Sequence, residues 1–373
     1  MEDRRERSER IKKGELRYGW TTGTCASVSA KAATYALLGK NISEIKKVEV
    51  SLPIKDQKAC LEIFRIDKSN FEAFALTIKD AGDDPDVTHG AQIGARVRFA
   101  KEKGVKILGG EGVGRVTKSG LGLEIGEPDI THVPRKMIKS AVVSAALEMG
   151  LKEDEISFEV EIFVPDGRER AKKTMLERLG VIGGIGILGT LGIVVPYSTG
   201  AWKASIGQQI SVAKESGVDT IVCTTGRQSE ELAKKLFPEL PDVAFIDVGD
   251  FIGFTVRFAS QKKIQRIILA GFIGKISKIA RGEEYTHAKK SSVDIDFLVE
   301  VAKEYTTPEI LELLYNANTA REFAQIAKSF GLIEIFRKVA LLAKRKLKEF
   351  SGNNNIEVVI FDLEDGGVLA YEK

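Results

Sequence analysis

Residues 218–237, VDTIVCTTGRQSEELAKKLF, read as a short apolar strand, a Thr-Thr-Gly turn and a helix. The strand is β-branched and brief, and the turn carries the residues that helix starts favour. Outward from this unit the pattern repeats. Further short apolar runs lie at 192–195, 243–248 and 265–270, with helical segments between them. Strands alternating with helices predict a parallel sheet with crossover helices, a Rossmann-like α/β arrangement. Residues 292–350 read mostly as amphipathic helix. Runs at 356–362 and 368–371 predict late strands, an antiparallel edge pair turning around Asp365-Gly366-Gly367.

The first half differs. Strand-like runs at 48–53, 61–67, 71–79, 95–99 and 156–164, with a helix over 134–149, predict an α+β fold. The basic stretch 167–180 is the candidate linker, so the predicted domains are 1–175 and 176–373. A chain of 373 residues exceeds what one core usually organises.

Composition narrows the class. Apolar residues make up 43% and charged residues 29%, as in a globular protein with a substantial core. The 56 basic and 53 acidic side chains leave a net charge of +3, which argues against a nucleic-acid partner. No apolar run reaches membrane-spanning length, and the N-terminal MEDRRERSERIKKGE lacks the apolar core of a signal peptide. Three widely spaced cysteines, Cys25, Cys60 and Cys223, predict a reducing cytoplasm with neither a disulfide framework nor a Cys-based zinc site.

The Thr-Thr-Gly wording recurs. Residues 18–39, YGWTTGTCASVSAKAATYALLG, open a second helix with it, and Ser198-Thr199-Gly200 precedes a third. A Thr hydroxyl can accept from a free helix N–H, Gly admits close approach, and the helix dipole favours an anion. Three such starts predict helix ends gathered around polar ligands, although plain capping accounts for each one alone.

Five other segments carry candidate chemistry. DAGDDPDVTHG, residues 80–90, packs Asp80, Asp83, Asp84 and Asp86 beside His89; its spacing is not that of an EF-hand. The glycine-rich 109–135 suits a loop lying against a flat ligand, with Arg115 and Arg135 available to carboxylates. Gly184, Gly186 and Gly189 match GxGxxG, but no proper strand precedes them and no helix follows, so the match is a decoy for a dinucleotide. Asp247 and Asp250 close a predicted strand, where α/β sheets bind ligands. Residues 271–296 gather Lys275, Lys278, Arg281, Lys289 and Lys290 around His287, as a solvated face or an anion site. No Ser-His-Asp order or Cys-x-x-Cys spacing stands out.

Taken in order, GWTTGTCASVSAKAA, DAGDDPDVTHGAQI, GVGRVTKSGLGLEIGEPDITHVPRKMI, GGIGILGTLGIVVPYS, TTGRQSE and GKISKIARGEEYTHAKKSSVDIDFL resemble the CbiD family over nearly the whole chain. These are the cobalt-precorrin-5B C1-methyltransferases of anaerobic cobalamin biosynthesis. The resemblance implies S-adenosylmethionine as methyl donor and an anionic cobalt-tetrapyrrole as substrate, with no protein-bound metal because cobalt arrives in the substrate. It implies an N-terminal domain like the second domain of ribosomal protein S5, then a Rossmann-like domain. Two departures stand out. Ile130-Thr131-His132-Val133-Pro134-Arg135 replaces the frequent Ile-Asn-Pro-Val-Pro-Arg, and Gly271-Phe272-Ile273-Gly274-Lys275 lacks the His that often precedes Gly-Lys.

On this reading Thr224, Thr225 and Gly226 are expected to hold the donor's methionyl carboxylate, with Asp247 or Asp250 on its ribose. Thr22, Gly23, Thr24, Asp84, Arg115, Arg135, Lys275 and Arg281 are expected at the substrate, and His89 and His287 are the candidates for any proton. A homo-oligomer and contacts with neighbouring pathway enzymes stay open. So do two rival readings, a nicotinamide-dependent tetrapyrrole reductase and a non-catalytic corrinoid carrier.

Overall fold

The structure, a computed structural model, describes residues 16–287, 294–353 and 355–373. The described chain divides into two compact units at 198/199. The division falls later than the predicted 175/176 because 181–194 pair backward. Val181–Ile182 joins Arg115–Val116, Gly184–Ile185 joins Gly112–Val113, and Ile193–Val194 joins Gly19–Trp20. The predicted strand at 192–195 therefore does not open the parallel sheet; it belongs to the first unit.

The first unit contains α1 (Thr22–Leu37), a hairpin of β1 (Lys47–Ser51) and β2 (Lys58–Glu62), and then β3 (Arg65–Lys68) and β4 (Glu72–Ile78). It continues through β5 (Gln92–Phe99), β6 (Gly104–Gly109), α2 (His132–Glu148) and β7 (Ser157–Phe163). The main sheet has the order β3-β4-β5-β7-β6, antiparallel except for the β7-β6 pair. Period-two alternation sorts its faces. Ile93, Ala95, Val97, Phe158, Val160 and Ile162 enter the core, while Arg96 and Arg98 pair with Glu161 and Glu159 on the other face. The single strand predicted over 61–67 is broken into β2 and β3.

Helix α1 is buried on nearly every side, which its small residues permit. Its buried hydroxyls are satisfied: Ser27 and Thr34 donate to carbonyls four residues back, and Ser29 donates to the Ile93 carbonyl.

The second unit runs α3 (Thr199–Glu215), β8 (Thr220–Thr224), α4 (Arg227–Leu236), β9 (Phe245–Asp247), α5 (Ile252–Gln261), β10 (Arg266–Phe272) and α6 (Ile273–Ala280). After these come α7 (Ile295–Ala302), α8 (Pro308–Tyr315), α9 (Ala320–Ser329), α10 (Ile333–Ser351), β11 (Ile356–Phe361) and β12 (Val368–Glu372). Strand order is β9-β8-β10-β11-β12; the first four are parallel and β12 is the antiparallel edge expected from the sequence. Both faces are covered. Ile221, Cys223, Ile267, Leu269, Val358 and Ile360 face a core shared with α3, α5, α6 and α10. Val222, Ile268, Ala270, Val359 and Phe361 face α4. Such double burial explains the near-continuous apolar runs of these strands. Among the described residues no helix is long and apolar enough to cross a membrane.

Candidate functional site

The carboxyl ends of the parallel strands are where open α/β sheets bind ligands, and the strand order here reverses between β8 and β10. That crevice is filled by the protein itself. Lys275, in the first turn of α6, donates to the Thr225 carbonyl (2.9 Å) and the Gly249 carbonyl (3.1 Å) and lies 3.1 Å from Asp250. A Cβ on Gly271 would come within 2.9 Å of the Thr225 hydroxyl, so the end of β10 lies hard against this loop. Thr224 is buried and donates to the Ile246 carbonyl. Gly226 caps α4 at φ +153°, a conformation that favours glycine, with open space where a Cβ would lie.

One strand further along, between the ends of β10 and β11, a cavity of about 500 Å³ opens. Its apolar walls include Phe272, Ile273, Phe361, Leu363, Ala324 and Leu369. Its polar groups are Asp250, Lys275, Lys278, Thr286, His287, Lys328, Asp362 and Glu364, with Arg321 and Gln325 beside them. A pocket with apolar walls and charged groups of both signs suits a small organic ligand carrying both an apolar ring and polar ends. Asp250 accepts from the Thr286 hydroxyl (3.2 Å) as well as facing Lys275, so it ties two loops rather than capping α5, whose cap is Phe251. Lys328 is paired with Asp362 and Asp365. His287 is buried and stacks on Tyr285, with ring centroids 5.9 Å apart.

Of the residues expected at the donor, Asp250 lines this cavity, Thr225 reaches it through its bond from Lys275, and Thr224, Gly226 and Asp247 do not line it. Asp247 accepts from the Gly249 N–H within the neighbouring turn. Arg281 ends α6 and pairs with Asp294 at 3.0 Å. Lys289 and Lys290 lie outside the described residues. The sequence reading passed over Asp362, Glu364 and Lys328. For Asp362 the usable signal was its place just after a strand, the same one that marked Asp247.

The first unit uses its candidates differently. Thr21 caps α1; Thr22 donates to the Gly186 carbonyl (3.1 Å) and accepts from the Leu188 N–H (2.9 Å); Thr24 donates to the Gly192 carbonyl (2.6 Å). All three threonines are buried. Gly23 lies against Pro134, where a Cβ would sit 2.7 Å from the ring. This Thr-Thr-Gly-Thr motif clasps the glycine loop 186–192, which carries the last two glycines of the GxGxxG decoy.

The acidic loop is likewise satisfied from within. Asp80 pairs with Arg17, Asp83 accepts the Arg17 N–H (2.7 Å), Asp84 accepts the Tyr197 N–H (2.7 Å), and Asp86 pairs with buried Lys79 at 2.5 Å. Burial raises the Asp84 carboxyl, whereas Arg17 holds Asp80 below the usual carboxylate range. His89 is exposed, its Nδ1 accepting the Ala81 N–H. Among the described residues no three His, Cys, Asp or Glu side chains group as metal ligands would. Arg135 donates to the Ile130 and Pro128 carbonyls and pairs with Glu127, shaping its own loop; exposed Arg115 donates to the Gly126 carbonyl.

Sequence profiles place this architecture. The CbiD profile matches residues 9–196, and that of the CbiD C-terminal domain matches 285–373. This chain belongs to the CbiD family. Among its relatives, the cobalt-precorrin-5B C(1)-methyltransferase of Leptospira interrogans (serovar copenhageni) is 47% identical over 345 residues, 91% of each chain. The Thermus thermophilus protein of the same name is 43% identical over 363 residues, covering 97% of this chain and 95% of its own. The Priestia megaterium one is 40% identical over 352 residues, 94% of each. A crystal structure of cobalamin biosynthesis protein CbiD from Archaeoglobus fulgidus is 29% identical, covers 82% of this chain and 92% of that one, and superposes with a TM-score of 0.39.

Proposed function

We propose that this CbiD-family enzyme is a cobalt-precorrin-5B C(1)-methyltransferase that takes its methyl group from S-adenosylmethionine and gives cobalt-precorrin-6A. The observation that carries the donor site is the cavity at the ends of β10 and β11, with acidic and basic groups set among apolar walls. Its size suits a nucleoside joined to an amino acid and is small for a tetrapyrrole. When bound, the donor supplies an electrophilic sulfonium methyl.

The chain's own residues bind, orient and shield. Phe272, Phe361 and Leu369 offer apolar surface to a base, and Asp250, Asp362 and Glu364 offer acceptors to a diol or an ammonium. Lys275 fixes the loops after β8 and β9 against α6 through the Thr225 and Gly249 carbonyls, and Asp247 steadies the second loop by accepting the Gly249 N–H. His287, on the cavity wall, is better placed than exposed His89 to take a proton near the donor. Substrate carboxylates would be met by exposed cations such as Arg115, while Thr22, Gly23, Thr24 and Arg135 set the shape of the glycine loops. Alignment and water exclusion supply most of what a methyl transfer needs from a protein.

The strand order of the second unit supports the Rossmann-like reading, and the first unit's helix-covered mixed sheet supports likeness to the second domain of ribosomal protein S5. The buried thiols of Cys25 and Cys223, both pushed up to about 12 by desolvation, are unreactive and in keeping with a cytoplasmic enzyme. Incubation with cobalt-precorrin-5B and methyl-labelled S-adenosylmethionine, read by mass spectrometry and carbon NMR, tests the reading. One labelled methyl on C1 is expected; corrinoid binding without label transfer would favour a carrier.

A further inference from the structure

Two lysines in the described chain are almost wholly buried, and they are not alike. Lys79, 1% exposed, has a carboxylate partner in Asp86. Lys278, 5% exposed, lies on α6 at the wall of the second unit's cavity. Its one hydrogen bond among the described residues goes to a neutral group, the Thr286 carbonyl at 3.1 Å. An ammonium has three N–H groups to satisfy, and a buried one without a counter-ion carries a desolvation penalty of several kcal/mol.

The two carboxylates whose charge reaches it are engaged elsewhere. Asp250 faces Lys275 and the Thr286 hydroxyl; Glu283 faces Arg281 at 3.6 Å. The cavity's other cationic side chains differ too, since Lys328 has two carboxylates, Arg321 faces Glu364 at 3.6 Å, and Lys275 has two carbonyls besides Asp250. Desolvation lowers the Lys278 pKa and outweighs the attraction of Glu283 and Asp250. Among the described residues, the position has no carboxylate to itself and has room for an anion on the cavity side.

We propose that Lys278 is the anchor for the amino-acid carboxylate of the adenosyl ligand in this cavity. The inference rests on the donor site proposed above and sharpens it. It assigns the carboxylate to a buried side chain on α6 and not to the start of α4, where the sequence alone puts it at Thr224, Thr225 and Gly226. The ligand's amino-acid end then lies at Asp250 and Thr286, and its ribose is left to the strand-end carboxylates Asp362 and Glu364.

The test compares two ligands that differ only in the amino-acid portion, S-adenosylhomocysteine and 5′-methylthioadenosine, by calorimetric titration of the full chain. For K278M, S-adenosylhomocysteine affinity is expected to fall by about 10-fold or more, the usual scale for a lost charged hydrogen bond. Methylthioadenosine affinity should stay within about 2-fold, the change a group that does not touch the ligand produces. K278R, which keeps the charge, should retain part of the preference for S-adenosylhomocysteine. K278Q serves the same comparison if K278M does not fold. Equal losses for both ligands, or no loss for either, would overturn the anchor while leaving the donor site standing. Failure of the unaltered protein to bind S-adenosylhomocysteine would overturn both.

Discussion

The chain writes Thr-Thr-Gly at the start of α1 and again at the start of α4, and the two copies have opposite fates. At α1 the hydroxyls are buried and each finds a carbonyl or N–H of the 186–192 loop or of its own helix. At α4 the glycine stands in open space at the carboxyl edge of a parallel sheet, near a lysine that ties two loops to α6. A cap motif states only that a helix begins. Whether its remaining polarity serves the fold or a ligand depends on what the rest of the chain brings to it.

Glycine substitutions break this comparison most directly. In G189A the new Cβ would stand 2.5 Å from the Thr21 side chain on a backbone at φ +131°. Clash and strain together predict a loss of about 3 kcal/mol in the first unit, seen as a lower denaturation midpoint. In G226A nothing lies within 4 Å of the new Cβ, so only the backbone cost remains, about 1–2 kcal/mol. Equal losses would mean that the two motifs are not used differently.

A smaller effect sits at the far end of α1, where Glu148 on α2 accepts from Lys31, Tyr35 and Ser144. Although partial burial opposes ionisation, these three donors together pull the Glu148 carboxyl down to about 2 from an ordinary 4.5. Because the folded value lies below the unfolded one, the stabilisation is complete at neutral pH. It is lost as pH falls from about 4.5 towards about 2. Glu148 is half exposed, so E148Q should cost under about 1 kcal/mol at pH 7, with a shallower acid loss than the unaltered chain. Denaturation curves at pH 7 and in acid measure both; parallel acid profiles would contradict the assignment.

Much of this was legible in the sequence. The β-branched runs marked β8, β10 and β11 because these strands are buried on both faces, and Asp365-Gly366-Gly367 marked the final turn. What was not legible was pairing at a distance. Two-residue strands such as Ile193–Val194 carry no periodicity, so the glycine segment looked like an entry to the second domain when its partners lie at 19–20 and 112–116. In the site, strand-end position flagged Asp250, but charge density alone could not separate Lys278, buried on a cavity wall, from Arg281, which pairs with acids at a helix end.

A crystal structure of the full chain with S-adenosylhomocysteine tests the central claim most directly. The account predicts the ligand between the ends of β10 and β11, in contact with Asp250, Lys278 and Phe361. Density for it against residues 21–24 and 186–192 instead would contradict the account.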